Sequence, residues 1–198
     1  IDRPTQDHID EAFLDIETMI KNVGGEARRF YFYFSGHGFT NDQNDTWLCL
    51  KKWSKRRVNT CLSVQKYKDE IQKYGYFKEL IFILDCCRSI KATIQPQGPT
   101  FGTGYQSGET GNTKFCIINA TRFQYAALEA EYETNVYQGV LTGALIEILN
   151  KPKQPNLGDI QDYLELRVPE IVKEINNGFQ QKVDIVIKDI RENDFIFS

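Results

Sequence analysis

Two kinds of apolar pattern alternate along the chain, and their order predicts its architecture. In PTQDHIDEAFLDIETMIKNVGG (residues 4–25) Ile9, Phe13, Ile16 and Ile20 recur at helical spacing, with Thr5 placed to cap the start and Gly24 and Gly25 to end it. RFYFYF (29–34) is apolar at nearly every position and predicts a strand buried on both faces, the usual case in a parallel sheet. TWLCLKKW (46–53) is compatible with a short strand. SVQKYKDEIQKYGYF (63–77) carries Val64, Tyr67, Ile71 and Tyr74 on one helical face and leads into LIFILDCC (80–87), a second continuous apolar run. A strand, crossover helix, strand order of this spacing joins two parallel strands, so the chain reads as α/β. KFCIINAT (114–121) predicts a third buried strand. GVLTGALIEILN (139–150) and NLGDIQDYLELRVPEIVKEINNG (156–178) predict helices, the second bent or restarted at Pro169. KVDIVIKDI and DFIFS predict one or two closing strands at a sheet edge.

Between these elements, residues 92–113 are rich in Gly, Pro, Ser and Thr, too long and too polar for a simple connection, and read as a flexible loop. The 198 residues are 41% hydrophobic and 26% charged with a net charge of -3, which fits one globular domain over 1–198 and gives no general attraction to nucleic acid or anionic lipid. The basic run KKWSKRRV (51–58) is the local exception and reads as a solvated loop or hairpin. No apolar run reaches bilayer-spanning length and the N-terminus has no signal-peptide core, so the expectation is a cytoplasmic protein without membrane contact.

Five cysteines stand at 49, 61, 86, 87 and 116, an odd number without CxxC spacing, so reduced thiols are expected rather than a disulfide framework or a zinc site. Neither these nor Glu129 and Glu131 have metal-ligand spacing, and no metal or cofactor is expected.

His37 sits just past the end of one predicted parallel strand and Cys87 just past another, so both reach the carboxyl rim where open α/β sheets bind ligands. A thiolate beside an imidazole suits nucleophilic acyl transfer. Gly38, having no side chain, lets its N–H approach a substrate carbonyl, and with the Cys87 N–H it would make an oxyanion hole.

FYFSGHG followed by LIFILDCCRS, with His and Cys 50 positions apart, resembles the caspase and metacaspase superfamily of cysteine peptidases, for which such a spacing is a known signature. INATRFQYAALE and GVLTGALIEIL extend the likeness. The resemblance implies a caspase-like fold, a mostly parallel sheet with helices on both faces, divided into a large-subunit-like part (1–91), a processing-type loop (92–113) and a small-subunit-like part (114–198). It implies a cysteine endopeptidase working through a thioester, with His37 and Cys87 as catalytic dyad, Gly38 and Cys87 as oxyanion hole, and no cofactor. Asp85 falls where metacaspases have an S1 aspartate, which implies a basic P1 residue. Arg122, in the segment that opens the small subunit, is a second substrate-binding candidate, by contact with substrate or by neutralising Asp85. The family begins with a strand and helix that precede the first helix here, so the remainder of the fold is expected from another segment. Expected partners are a protein or peptide substrate and an activating sensor domain or partner protein. The alternative function is a catalytically silent caspase homologue acting in signalling or interaction. That alternative usually loses the Cys or the His, and this chain keeps both.

Overall fold

The computed structural model describes residues 4–41, 45–57, 59–91, 94–102, 113–133, 135–176 and 178–197. The elements run α1 (Gln6–Asn22), β1 (Ala27–Gly36), β2 (Gly38–Thr40), β3 (Trp47–Cys49), β4 (Cys61–Ser63), α2 (Val64–Tyr74), β5 (Phe77–Cys86), β6 (Ser89–Ile90), β7 (Lys114–Asn119), β8 (Glu129–Glu133), β9 (Val136–Gly139), α3 (Val140–Leu149), α4 (Leu157–Ile175) and β10 (Asp184–Lys188). The main sheet has the order β1-β5-β7-β10, with β1, β5 and β7 parallel and β10 antiparallel at the edge.

β5 explains why the sheet has two cores. Side chains alternate along a strand, so Leu80, Phe82, Leu84 and Cys86 join one hydrophobic cluster with Phe13 and Ile20 of α1 and Val64, Tyr67, Ile71 and Tyr74 of α2. Ile81 and Ile83 join the other, with Val140, Leu141 and Leu145 of α3 and Ile160, Leu164 and Val168 of α4. Helices therefore cover both faces, and each fully buried Val, Leu, Ile or Phe among these side chains contributes about 1.5–3 kcal/mol of transfer free energy. α1 begins at Thr5, whose hydroxyl accepts the His8 N–H while His8 Nδ1 accepts the Thr5 N–H, so His8 is half-buried in a capping box rather than solvated.

The structure corrects several expectations. β1 is not buried on both faces: Phe30, Phe32 and Phe34 pack toward the α1/α2 core, whereas Tyr31 and Tyr33 are 44% and 54% exposed. Their hydroxyls bond the Ile196 carbonyl and the Thr142 hydroxyl. The strict Phe/Tyr alternation was the available signal, with the hydroxyl-bearing rings on the wetter side. α4 runs unbroken through Pro169, which lies thirteenth in the helix. Of DFIFS, residues 194–197 form no strand and Ser198 lies outside the described residues; Phe197 stacks on Tyr31 at 5.9 Å. Ten residues of the loop, 103–112, and Ala92 and Thr93 lie outside the described residues, whereas 94–102 pack onto the body through Ile94, Phe101 and the Thr100 bonds to buried Asp10.

A second, smaller sheet has the order β4-β3-β2-β6. Asp45 holds it together, accepting from the Trp47 indole, the Ser63 hydroxyl and the Gln65 N–H, and its burial raises its pKa above the ordinary aspartate value. The run 51–57 forms exposed turns beside this sheet, with only Trp53 half-buried.

Candidate active site

The two sheets meet where the sequence places its candidate chemistry. β1 pairs with β5 in a register that matches each residue with the one 50 positions later, ending at Gly36 with Cys86. β2 pairs with β6 at the same offset, Phe39 with Ser89 and Thr40 with Ile90. His37 and Cys87 lie between these two sets of pairs, so both chains leave the main sheet side by side and the spacing of 50 becomes lateral neighbourhood. His37 is exposed and Cys87 half-buried. Together with Ser35, Gly36, Asp85 and Glu129 they line one cleft of about 240 Å³ at the carboxyl rim.

Gly38 is fixed by contact. A Cβ there would lie 2.6 Å from Cys86 Sγ and 2.6 Å from the Cys87 carbonyl oxygen, so only glycine permits β2 to pass this close to the end of β5. Cys86 points into the α1/α2 core, fully buried, and desolvation drives its thiol pKa upward. Cys87 turns the other way. Its sulfur accepts the Ala127 N–H at 3.3 Å and its S–H reaches the Ala127 carbonyl at 3.7 Å. The segment 122–128 is further bound to the next residue, Arg88, through Arg88 N–H to the Tyr125 carbonyl and Gln124 N–H to the Arg88 carbonyl. Buried Gln181 braces the same segment, donating to the Ala120 carbonyl and accepting the Leu128 N–H.

Asp85 has two surroundings. It is 4% exposed, and one carboxylate oxygen accepts both the N–H and the hydroxyl of Thr142 at 2.8 and 2.5 Å. It thereby caps α3, whose own N-cap residue, Gly139, has no side chain to do so. Gly139 is required for this, since any Cβ there would collide with the carboxylate. Asp85 also faces the cleft, and its pKa is raised, first by burial and further by the Glu129 charge, against the opposing Thr142 bonds. Arg122 stands elsewhere. It is exposed and lines a separate cleft with Tyr125, Gln180 and Lys182, and no ion pair joins it to Asp85.

Glu129, which lines the cleft, Ala127, which bonds Cys87, and Gln181, which braces the segment beside it, were not singled out as parts of the site from sequence. Ala127 acts through its backbone, for which side-chain identity is no signal, and Gln181 comes from a loop 94 positions after Cys87. Arg88, 2% exposed, is held by Asp184 of β10 at 2.5 Å, which ties the residue after Cys87 to the far edge strand.

The mixed α/β fold, with helices on both faces of a mostly parallel sheet, agrees with the comparison to known families. The caspase domain model matches residues 1–192. This chain belongs to the caspase domain family. A protein named a probable protease from a Desulfuromonadales bacterium is 35% identical over 89 residues, which are 43% of this chain and 10% of that protein. The matched segment spans about a tenth of the length of that relative. The family is one of peptidases, and the caspase domain here has its helices on both sheet faces. Among the described residues no helix is long and apolar enough to cross a membrane.

Proposed function

We propose that this caspase domain is a cysteine endopeptidase that cleaves after Lys or Arg. The carrying observation is the register that puts His37 and Cys87 side by side on a cleft whose charged lining residues, apart from the imidazole, are Asp85 and Glu129. Cys87 Sγ attacks the scissile carbonyl. The Ala127 N–H already donates to that sulfur, a bond that strengthens when the sulfur carries charge. The N–H groups of Gly38 and Cys87 hold the oxyanion, and His37 protonates the departing amine to leave a thioester, which water then hydrolyses. A basic P1 side chain reaches the Asp85 carboxylate, with Glu129 adding negative potential at the mouth. The domain works on protein or peptide chains where thiols stay reduced, as in cytoplasm, all five cysteines being free.

The silent-module alternative makes an opposite prediction for labelling. A peptidyl chloromethyl ketone with Arg at P1 should alkylate Cys87, located by mass spectrometry of the digest, faster than one with Asp at P1. Equal slow labelling of Cys87 and the other thiols would reject the proposal.

A further inference from the structure

Away from the cleft, two cysteines face one another. Cys49 of β3 and Cys61 of β4 are direct partners in the antiparallel register, with their sulfurs 3.7 Å apart. Their backbone bonds identify the kind of pair. The Cys49 N–H donates outward, to the His37 carbonyl, and the Cys61 carbonyl accepts outward, from the Gln97 N–H. Each residue therefore spends its peptide groups on the strand's far side, which makes this a non-hydrogen-bonded pair. Such pairs have the closer Cα spacing, about 4.5 Å, within the range a disulfide spans. Cys61 is fully buried beside Trp47 and Ile94, while Cys49 is half-buried and reachable.

We propose that Cys49 and Cys61 form a reversible dithiol–disulfide site whose state sets the backbone support of His37. The inference stands apart from the peptidase reading, since its chemistry needs neither substrate nor Cys87. The oxidant class is a peroxide. The Cys49 thiolate attacks one peroxide oxygen, the O–O bond breaks and, for hydrogen peroxide, hydroxide leaves and takes up the proton that the Cys49 thiol released, giving a sulfenic acid and water. The Cys61 thiol attacks that sulfur, the S–O bond breaks, and the departing hydroxide takes the thiol proton as water. Two thiols and one hydrogen peroxide thus become one disulfide and two waters, with the sulfurs oxidised and the peroxide oxygens reduced. Either sulfur can donate to the other across the 3.7 Å contact, and Cys49, the half-buried one, is the sulfur that a peroxide reaches.

Bond formation must draw the two sulfurs together from 3.7 Å to about 2.05 Å. Cys49 moves with its N–H, and that N–H is 2.9 Å from the carbonyl of the histidine itself. The link from sulfur to imidazole is thus one residue and one hydrogen bond long.

The test uses the whole chain carrying Cys87→Ala, which removes the competing thiol. After hydrogen peroxide, a non-reducing digest should show the Cys49 and Cys61 peptides joined with the loss of two hydrogens, and dithiothreitol should separate them. The chain has two histidines, His8 and His37, so imidazole NMR reads the second half of the claim. The His37 signals should shift on oxidation and return on reduction, the His8 signals should stay, and the added change Cys49→Ser should remove the response while leaving the reduced spectrum native-like. A Cys49 link to Cys86, no link at all, or a Cys49–Cys61 link without movement of the His37 signals would overturn the proposal.

Discussion

Gly38→Ala isolates the close approach on which the site depends. The added methyl would meet Cys86 Sγ and the Cys87 carbonyl at 2.6 Å and Cys86 Cβ at 3.0 Å. Neither neighbour can yield cheaply, one being backbone and the other a side chain buried in the core. Restoring ordinary contact, which begins at 3.4 Å, separates β2 from the end of β5 by about 0.8 Å. Overpacking of this kind costs about 1–3 kcal/mol, a fall in Tm of about 2–12 °C for a domain this size. The same displacement moves His37 away from Cys87 and the Gly38 N–H away from the oxyanion. A misplacement near 1 Å lowers turnover by about 100-fold, or about 2.7 kcal/mol of transition-state stabilisation. The assay is thermal unfolding beside steady-state kinetics on an Arg-P1 peptide, with Gly102→Ala as control, because among the described residues a Cβ at Gly102 meets only Glu70 Oε1 at 3.8 Å. The control should stay within about 0.5 kcal/mol of wild type. A Gly38→Ala protein that melts with wild type and turns over within a few-fold of it would refute the reasoning.

Other outcomes follow from the same contacts. Asp85→Asn keeps an acceptor for Thr142 and should melt near wild type while losing its preference for Lys or Arg at P1. Asp85→Ala should in addition lose the cap of α3, about 1–2 kcal/mol by denaturant unfolding. The Asp85 pKa is raised on folding, so its contribution to stability is full below the unfolded-state value and lost as pH rises through the folded-state value. Tm of wild type measured against Asp85→Asn should therefore decline with rising pH across that window, and KM for an Arg-P1 peptide should rise as pH falls through it. Glu147 of α3 behaves oppositely, its pKa lowered first by the Arg167 hydrogen bond from α4, so its contribution is present above the unfolded-state value and lost in acid. The pair is partly exposed, and Glu147→Gln should cost about 0.5–1 kcal/mol at neutral pH, a difference that vanishes on acidification.

Much of the main sheet was legible because its strands are long and hydrophobic. LIFIL and KFCII fill both faces and declare themselves buried, and the helices of Ile9, Phe13, Ile16 and Ile20 and of Val64, Tyr67, Ile71 and Tyr74 carry an unambiguous period. The second sheet was not, apart from one segment, because β2, β4 and β6 are two or three residues long and gain their stability from partners distant in the chain. The β8–β9 hairpin was also hidden, since EAEYETNVYQG has no two-residue glycine turn and its exposed positions mix Glu129 and Glu131 with Val136 and Tyr137, which leaves no clean alternation. At the site, the interval of 50 residues from His37 to Cys87 was readable and turns out to be the strand register itself. Asp85 was readable as a carboxylate at a strand end, but its capping of α3 depends on a helix 55 positions later. Arg122 was legible only through the resemblance of its segment to the start of the small subunit, and the turn at 122–125 carries its side chain to the neighbouring cleft.

The central claim rests on cysteine-dependent cleavage after a basic residue. The direct measurement is to incubate the wild-type protein and the Cys87→Ala variant with a peptide library randomised at P1, and to sequence the products. The account predicts new termini after Lys and Arg from the wild type and none from Cys87→Ala. Cleavage that survives Cys87→Ala, or wild-type cleavage confined to other P1 residues, would contradict it.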